Sequence, residues 1–246
     1  MHLISKSFKC LAAIAGAVLL IPFAMGPAVQ AASEAPSSTA ESILRGVDIS
    51  GVQDSASNHA LAVSLSRRLA ESADPVAMLK SIPQTELKTL AAYMLPASTV
   101  TTRAIRAATA SETPKAIPTE STIGVSPLSL NCWVANSYMY TQNSFGNNLF
   151  STQLQARWCS NGTSTASTVS AASLVNSWGQ TYWVGWSHVG RIVTASGVIG
   201  NSARTYVQHK FTFGTGGWIL YESTPCHRNV GFGNGSSVQQ SICGIY

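Results

Sequence analysis

Between Thr122 and Tyr246 the chain holds a single carboxylate, Glu222. Acid–base, metal and hydrolytic chemistry draws on Asp and Glu, so this shortage removes most enzymatic readings of the region. A glycosidase needs two carboxylates. A Ser–His–acid triad needs an acid to orient its histidine, and Glu222 is the sole candidate. There is no GxSxG elbow, HExxH pair or EF-hand loop. CxxC pairs are also missing, and cysteines as widely spaced as these argue against zinc. No cofactor and no metal are expected. Beyond the N-terminus, no stretch approaches the roughly 20 apolar residues needed to span a bilayer.

What is present is equally one-sided. The same 122–246 stretch carries Arg157, Arg191, Arg204, Lys210 and Arg228, all six tryptophans and four cysteines. The residues before it, 32–121, hold nine of the ten acids, eight of the fifteen basic residues, and neither Trp nor Cys. The chain therefore divides by composition.

Residues 1–31 read as a secretory signal peptide. Lys6 and Lys9 charge its start, an apolar run follows from Cys10 to Ile21, and Pro22, Gly26 and Pro27 break it. Small residues at Val29 and Ala31 place cleavage after Ala31. This predicts a secreted, extracellular protein without a transmembrane anchor after cleavage. It also leaves an even set of cysteines, Cys132, Cys159, Cys226 and Cys243, which in an oxidising compartment reads as two disulfides. Three connectivities exist. Cys132–Cys159 and Cys226–Cys243 are favoured because each closes a loop short enough for a strand–turn–strand unit.

Residues 32–95 are predicted as a small α-helical segment. Ser57-Asn58 offers a cap for the Leu61, Leu65, Leu69 repeat, Asp74-Pro75 a start for a short helix, and Leu87, Leu90, Ala91 and Met94 a second stripe ending at Pro96. Residues 96–127, rich in Ser, Thr, Ala and Pro, read as a linker. Helices, a cleavable linker and a stapled domain together suggest a pro-region removed near Thr122; a permanent helical appendage is the alternative.

From Leu128 the period becomes two. Phe150, Thr152, Leu154, Ala156 and Trp158 alternate with polar residues, as do Val207, His209, Phe211 and Phe213. Gly214 to Gly217 turns the second run into Trp218 to Tyr221, and Tyr182 to Val193 reads as a strand with bulges at Gly185 and Gly190. Asn161-Gly162 and Asn234-Gly235 are expected turns. The Ser/Thr-rich run Asn161–Ser173 reads as a solvated edge strand with Val169 facing in. Residues 128–246 are thus expected to be an all-β C-terminal domain, an antiparallel sandwich or barrel with two disulfides, preceded by the helical segment.

Two chemistries deserve candidates. His209, Lys210, Glu222 and His227 would make a ribonuclease-like site if the strands brought them together, since base, acid and cation are the groups needed. His209 nevertheless falls on the apolar face with Phe211, where core histidines are commoner. Aromatics offer the other chemistry. Trp183, Trp186, Tyr206 and Trp218 are the candidate binding residues, on the argument that exposed rings stack on sugars or anchor partners. Trp183 and Trp186 would lie on opposite faces of a regular strand, so one should point away from the core. The 122–246 region's excess of positive charge suits an anionic cell surface or wall polymer, and without a basic cluster no specific nucleic-acid binding is expected.

At Arg157-Trp158-Cys159-Ser160-Asn161-Gly162, with the later Thr224-Pro225-Cys226, the chain resembles a loose group of secreted actinobacterial proteins that share an R-W-C-x-x-G signature and β-rich C-terminal halves. The resemblance implies secretion and a disulfide-bonded β fold and carries over no catalytic residue; the signal peptide, without an outer-membrane strand pattern, is compatible with a bacterial, Gram-positive source. The expectation is a secreted, non-enzymatic binding or interaction module for a cell-surface glycan or a protein. The rivals are a toxin or antimicrobial acting on membranes or RNA, and a protease inhibitor.

Overall fold

The computed structural model describes residues 39–109, 130–163, 166–214 and 218–246; the signal-peptide reading lies outside them. Four helices come first: α1 (Thr39–Arg45), α2 (Ala56–Glu71), α3 (Pro75–Ser81) and α4 (Gln84–Met94). Asp74 and Pro75 start α3 as expected, the Asp74 carboxylate accepting from the Ala77 N–H at 2.9 Å. The cap of α2 is Ser55 rather than Ser57-Asn58, its hydroxyl accepting from the Asn58 N–H. Leu65, Leu69, Leu87, Leu90, Ala91 and Met94 are buried, as their periodicity predicts. Helix α1 has no clear stripe, and was not expected.

Among the described residues nine strands follow and form two antiparallel sheets. The first sheet is ordered β1 (Ser98–Ala107), β2 (Leu130–Gln142), β3 (Asn148–Thr163), β4 (Ala166–Thr181). The second is ordered β5 (Trp186–Ile199), β6 (Ser202–Phe213), β8 (Cys226–Phe232), β9 (Ser237–Gln240), with β7 (Tyr221–Ser223) beside the far end of β6. Both disulfides, Cys132–Cys159 and Cys226–Cys243, are formed as paired from the sequence.

The two inner faces are those the alternation marked. Phe150 stacks on Phe211 with ring centroids 4.3 Å apart, and Trp158 lies over Gly231, where a Cβ would come within 2.5 Å of the indole. Val169 faces in, as expected.

Four expectations change. Ser98–Ala107, assigned to the linker, is strand β1, exposed along its whole length; residues 110–127 lie outside the described set. Asn161-Gly162 continues β3 instead of turning, whereas Asn234-Gly235 does turn, with Gly235 at φ +88°. Strand β5 begins at Trp186: Gly185, at φ +87°, belongs to the turn before it, while Gly190 sits at a register shift as a bulge should. The hairpin after Gly214 re-pairs only at Tyr221, opposite Phe213.

The helices are not an appendage. Leu44, Leu65, Leu79, Leu90 and Met94 share one continuous core with Leu149, Phe150, Trp186, Phe211, Phe213, Leu220 and Tyr221. The Trp186 indole N–H donates to the Met94 carbonyl, and the Arg45 guanidinium donates to the Tyr221 hydroxyl at 2.8 Å. Burying each such side chain contributes about 1.5–3 kcal/mol, so the helices close one end of the sandwich and share its stability.

Candidate functional site

The nuclease-like constellation does not assemble. His209 and His227 point between the sheets and are buried. Lys210 and Glu222 lie on the opposite face of the second sheet and pair with each other at 2.6 Å. The interior histidines instead belong to a polar file through the sandwich. Thr152 Oγ1 lies 3.2 Å from His227 Nδ1, while Nε2 of the same ring is 3.2 Å from Gln239 Oε1 and 3.0 Å from Ser137 Oγ. An amide oxygen can only accept, so this network assigns the His227 proton to Nε2. His209 Nδ1 is 2.9 Å from His188 Nε2. Burial holds His227 down at about 4; burial, with the nearby His188 and Arg191, does the same for His209. Ser137 and His227 are in contact, yet the serine is sealed inside and spends its own proton on the Leu154 carbonyl. This file specifies packing.

Three of the four aromatic binding candidates are covered. Trp186 is buried against α4, and Trp183, half-buried, packs against His59 and Tyr93. Both tryptophans turn toward the helices because the chain at Trp183 is a turn rather than a strand, so the two-face argument fails. Tyr206 is buried on the outer side of the second sheet, where residues 241–246 fold across it. Arg228 donates to the Gly244 and Tyr246 carbonyls and Arg204 to that of Ile245, and the Cys226–Cys243 disulfide ties the segment down. Only Trp218 is exposed, at 44%, next to residues outside the described set.

The outer face of the first sheet holds a different set. Ser137, Thr152 and Gly179 point inward, so Tyr138, Gln153 and Trp178, one register step away, share the outer face in a single cross-strand row. The next row is Tyr140, Ser151 and Gln180, and the row on the other side is Asn136, Gln155 and Asn176. Tyr138 and Tyr140 run parallel, 14° apart in plane with centroids 6.1 Å apart. Trp178 meets Tyr138 edge-on at 6.5 Å, and Tyr182 leans on Tyr140 at 6.3 Å with its hydroxyl 3.1 Å from Ser151 Oγ. Trp178 and Tyr182 remain 42% and 45% exposed.

No family model, curated protein or solved structure matches this chain. The site must therefore be read from its own chemistry.

Between Tyr138 and Trp178, Gln153 is only 5% exposed, and its Oε1 has no hydrogen-bond partner among the described residues; Asn136 Oδ1, one row away, has none either. An amide oxygen held away from water without a partner costs about 1–3 kcal/mol, which an incoming hydroxyl would recover after a small side-chain rotation. Burial, aided by its tyrosine neighbours, pushes the Tyr140 phenol up, so that ring meets a ligand as a neutral hydrogen-bonding aromatic. The surface combines ring faces with amides, the groups that stack on and hydrogen-bond to polyhydroxylated rings.

The sequence carried a signal for this site that was not singled out. Tyr138-x-Tyr140 beside Asn136 marks one face of a strand whose other face is Ala135, Ser137 and Met139. What it lacked was the partner strand that brings Trp178 alongside.

Proposed function

We propose that the protein is a secreted, non-enzymatic binding module that takes a cell-surface or cell-wall glycan on the outer face of its first sheet. The observation that carries this is the Tyr138, Tyr140, Trp178, Tyr182 group laid over Gln153, whose buried oxygen has no partner among the described residues. Sugar rings stack on Trp178 and Tyr182, and their hydroxyls reach the Gln153, Asn136 and Gln155 amides. Aromatic groups of this kind supply large contact area at low entropic cost. Two formed disulfides fit an oxidising compartment, and no helix among the described residues is long and apolar enough to cross a membrane.

Affinity electrophoresis of the whole secreted chain through cell-wall polysaccharide, soluble cellulose and soluble chitin tests this. The wild type is expected to be retarded by at least one polymer. A Trp178→Ala, Tyr182→Ala double variant should run free, whereas Trp218→Ala should not change the mobility. Unretarded wild type in every gel, or loss of binding on Trp218→Ala alone, would overturn the assignment.

A second reading has an observation of its own. Val189, Ile192 and Val193 stand exposed along β5, at 58%, 48% and 42%, which suits contact with a lipid surface. Dye release from liposomes, unaffected by the Trp178 variant, would favour that membrane-acting alternative.

A further inference from the structure

Resting on the glycan reading, we infer that the glycan is the headgroup of a glycolipid, taken at a membrane surface that the β4–β5 edge of the sandwich touches. This edge carries an apolar patch beside the aromatic group. Strands β4 and β5 run antiparallel out of the turn at 182–185 but belong to different sheets. Gly179 comes so near His188 that a Cβ would meet the imidazole at 2.5 Å, and Arg191 donates to Ser177 Oγ at 3.2 Å. These contacts align the two strands, with Trp178 opposite Val189 and Val175 opposite Ile192 and Val193. All five are exposed.

Three of the five sit at bulges. The β3–β4 register skips Val175, and the β5–β6 register skips Val189 and Ile192. A bulge residue has no cross-strand partner, so pairing does not dictate where its side chain points. At each of these places the sequence puts a β-branched apolar residue and leaves it in water, which costs the free protein. The same bulges interrupt the spacing of N–H and C=O groups along both edges, which disfavours an added strand from a second copy or another protein. The patch is on the order of a few hundred Å², well short of the roughly 800 Å² a side of a stable protein interface. A lipid surface demands neither strand pairing nor that area. Residues 166–199 contain one Arg, Arg191, and no Lys, Asp or Glu; a lone cation suits the phosphate plane of a bilayer. Trp178 joins the two surfaces, standing edge-on to Tyr138 in the sugar-facing row and opposite Val189 at the strand edge. An indole between an apolar and a wet region is the side chain favoured at membrane interfaces. A glycolipid meets both surfaces at once: its sugar rings lie on Trp178 and Tyr182, and its lipid end lies by Val175, Val189 and Ile192.

The test measures binding of the full chain to oligosaccharides cut from the cell-wall polysaccharide, cellulose and chitin of the gels. Each is offered free in solution, or coupled to phosphatidylethanolamine and displayed on phosphatidylcholine vesicles. The displayed form is expected to bind about tenfold more tightly than the free one, without dye release, and plain phosphatidylcholine vesicles to bind weakly. A Val189→Ser, Ile192→Ser double variant should remove most of that tenfold advantage while leaving retardation by soluble polymer unchanged. Val238→Ser, at an exposed valine of β9, should change neither. Trp178→Ala should weaken both forms. Equal binding of free and displayed sugar, a silent Val189→Ser, Ile192→Ser variant, or plain vesicles bound as tightly as glycolipid vesicles would overturn the glycolipid assignment alone, because the gels report glycan binding without lipid. No binding to any vesicle or polymer would overturn the glycan reading with it.

Discussion

Acid should unfold this protein through His227. The ring is fully buried, and its network, Thr152 donating to Nδ1 and Nε2–H donating to Gln239, is built for the neutral form. Among the described residues no carboxylate is hydrogen-bonded or paired to it. Burial dominates in lowering its pKa from 6.5 to about 4. A base held neutral in the folded state binds its proton only on unfolding, so the unfolded chain carries more protons at every pH between these values. Stability is then complete above pH 6.5, declines as pH falls, and levels out below about 4. At 1.36 kcal/mol per pKa unit the full loss is roughly 3 kcal/mol, of which roughly 2 kcal/mol is gone by pH 5. His209, lowered by burial and by the nearby His188 and Arg191, adds in the same direction.

Guanidinium unfolding at pH 7.5, 6, 5 and 4.5 measures this. His227→Gln keeps an amide donor and acceptor in the cavity and removes the titration. The variant should be less stable than wild type at pH 7.5, and the gap should close by roughly 2 kcal/mol by pH 5. Parallel stability curves would refute the reasoning, as would an imidazole resonance of His227 that titrates near 6.5 in the folded protein.

Three other outcomes follow from the packing. Residues 130–246 expressed alone lose the helical cover over Phe150, Trp186 and Phe213, and should bind a hydrophobic dye and show no cooperative near-UV transition; N-terminal sequencing of the secreted protein should accordingly find residues 39–95 retained. Gly231→Ala drives a methyl into the Trp158 indole and should cost about 1–3 kcal/mol in chemical denaturation. Cys243→Ser opens the loop to Cys226 and frees residues 241–246, with about 3 kcal/mol lost in thermal unfolding and new protease cleavage near Ile242.

How much of this was legible depends on where contrast between faces exists. Strands β3 and β6 were read correctly because each has one apolar and one polar face, so the period of two is printed in Phe150 to Trp158 and Val207 to Phe213. Strand β1 is exposed on both faces, and a strand without an inside has no alternation to find; Thr99-Val100-Thr101-Thr102 looked like linker for that reason. The disulfides were legible because strand–turn–strand spacing limits which cysteines can meet. Trp183 and Trp186 were misread because their cover is α2 and α4, some ninety to a hundred and twenty residues earlier, and no local pattern reports a long-range contact. The proposed binding face was half legible: Tyr138 and Tyr140 share a face by spacing alone, but Trp178 joins them only through the β3–β4 register, with its bulges at Gln155/Ala156 and Cys159/Ser160.

The tryptophans other than Trp218, followed one by one, support the proposal that this face is a binding surface. Trp133 and Trp158 stack on each other within the sandwich, and Trp183 and Trp186 close the junction with the helices. Each of these four repays its size by burial. Trp178 does not: it stands on the solvent side of a sheet, where antiparallel strands ordinarily place polar residues, and beside it sits an amide whose oxygen has no partner among the described residues. Folding gains little from an exposed indole and loses from an unsatisfied amide, so both are local costs in the free protein that a bound ring and hydroxyl would offset.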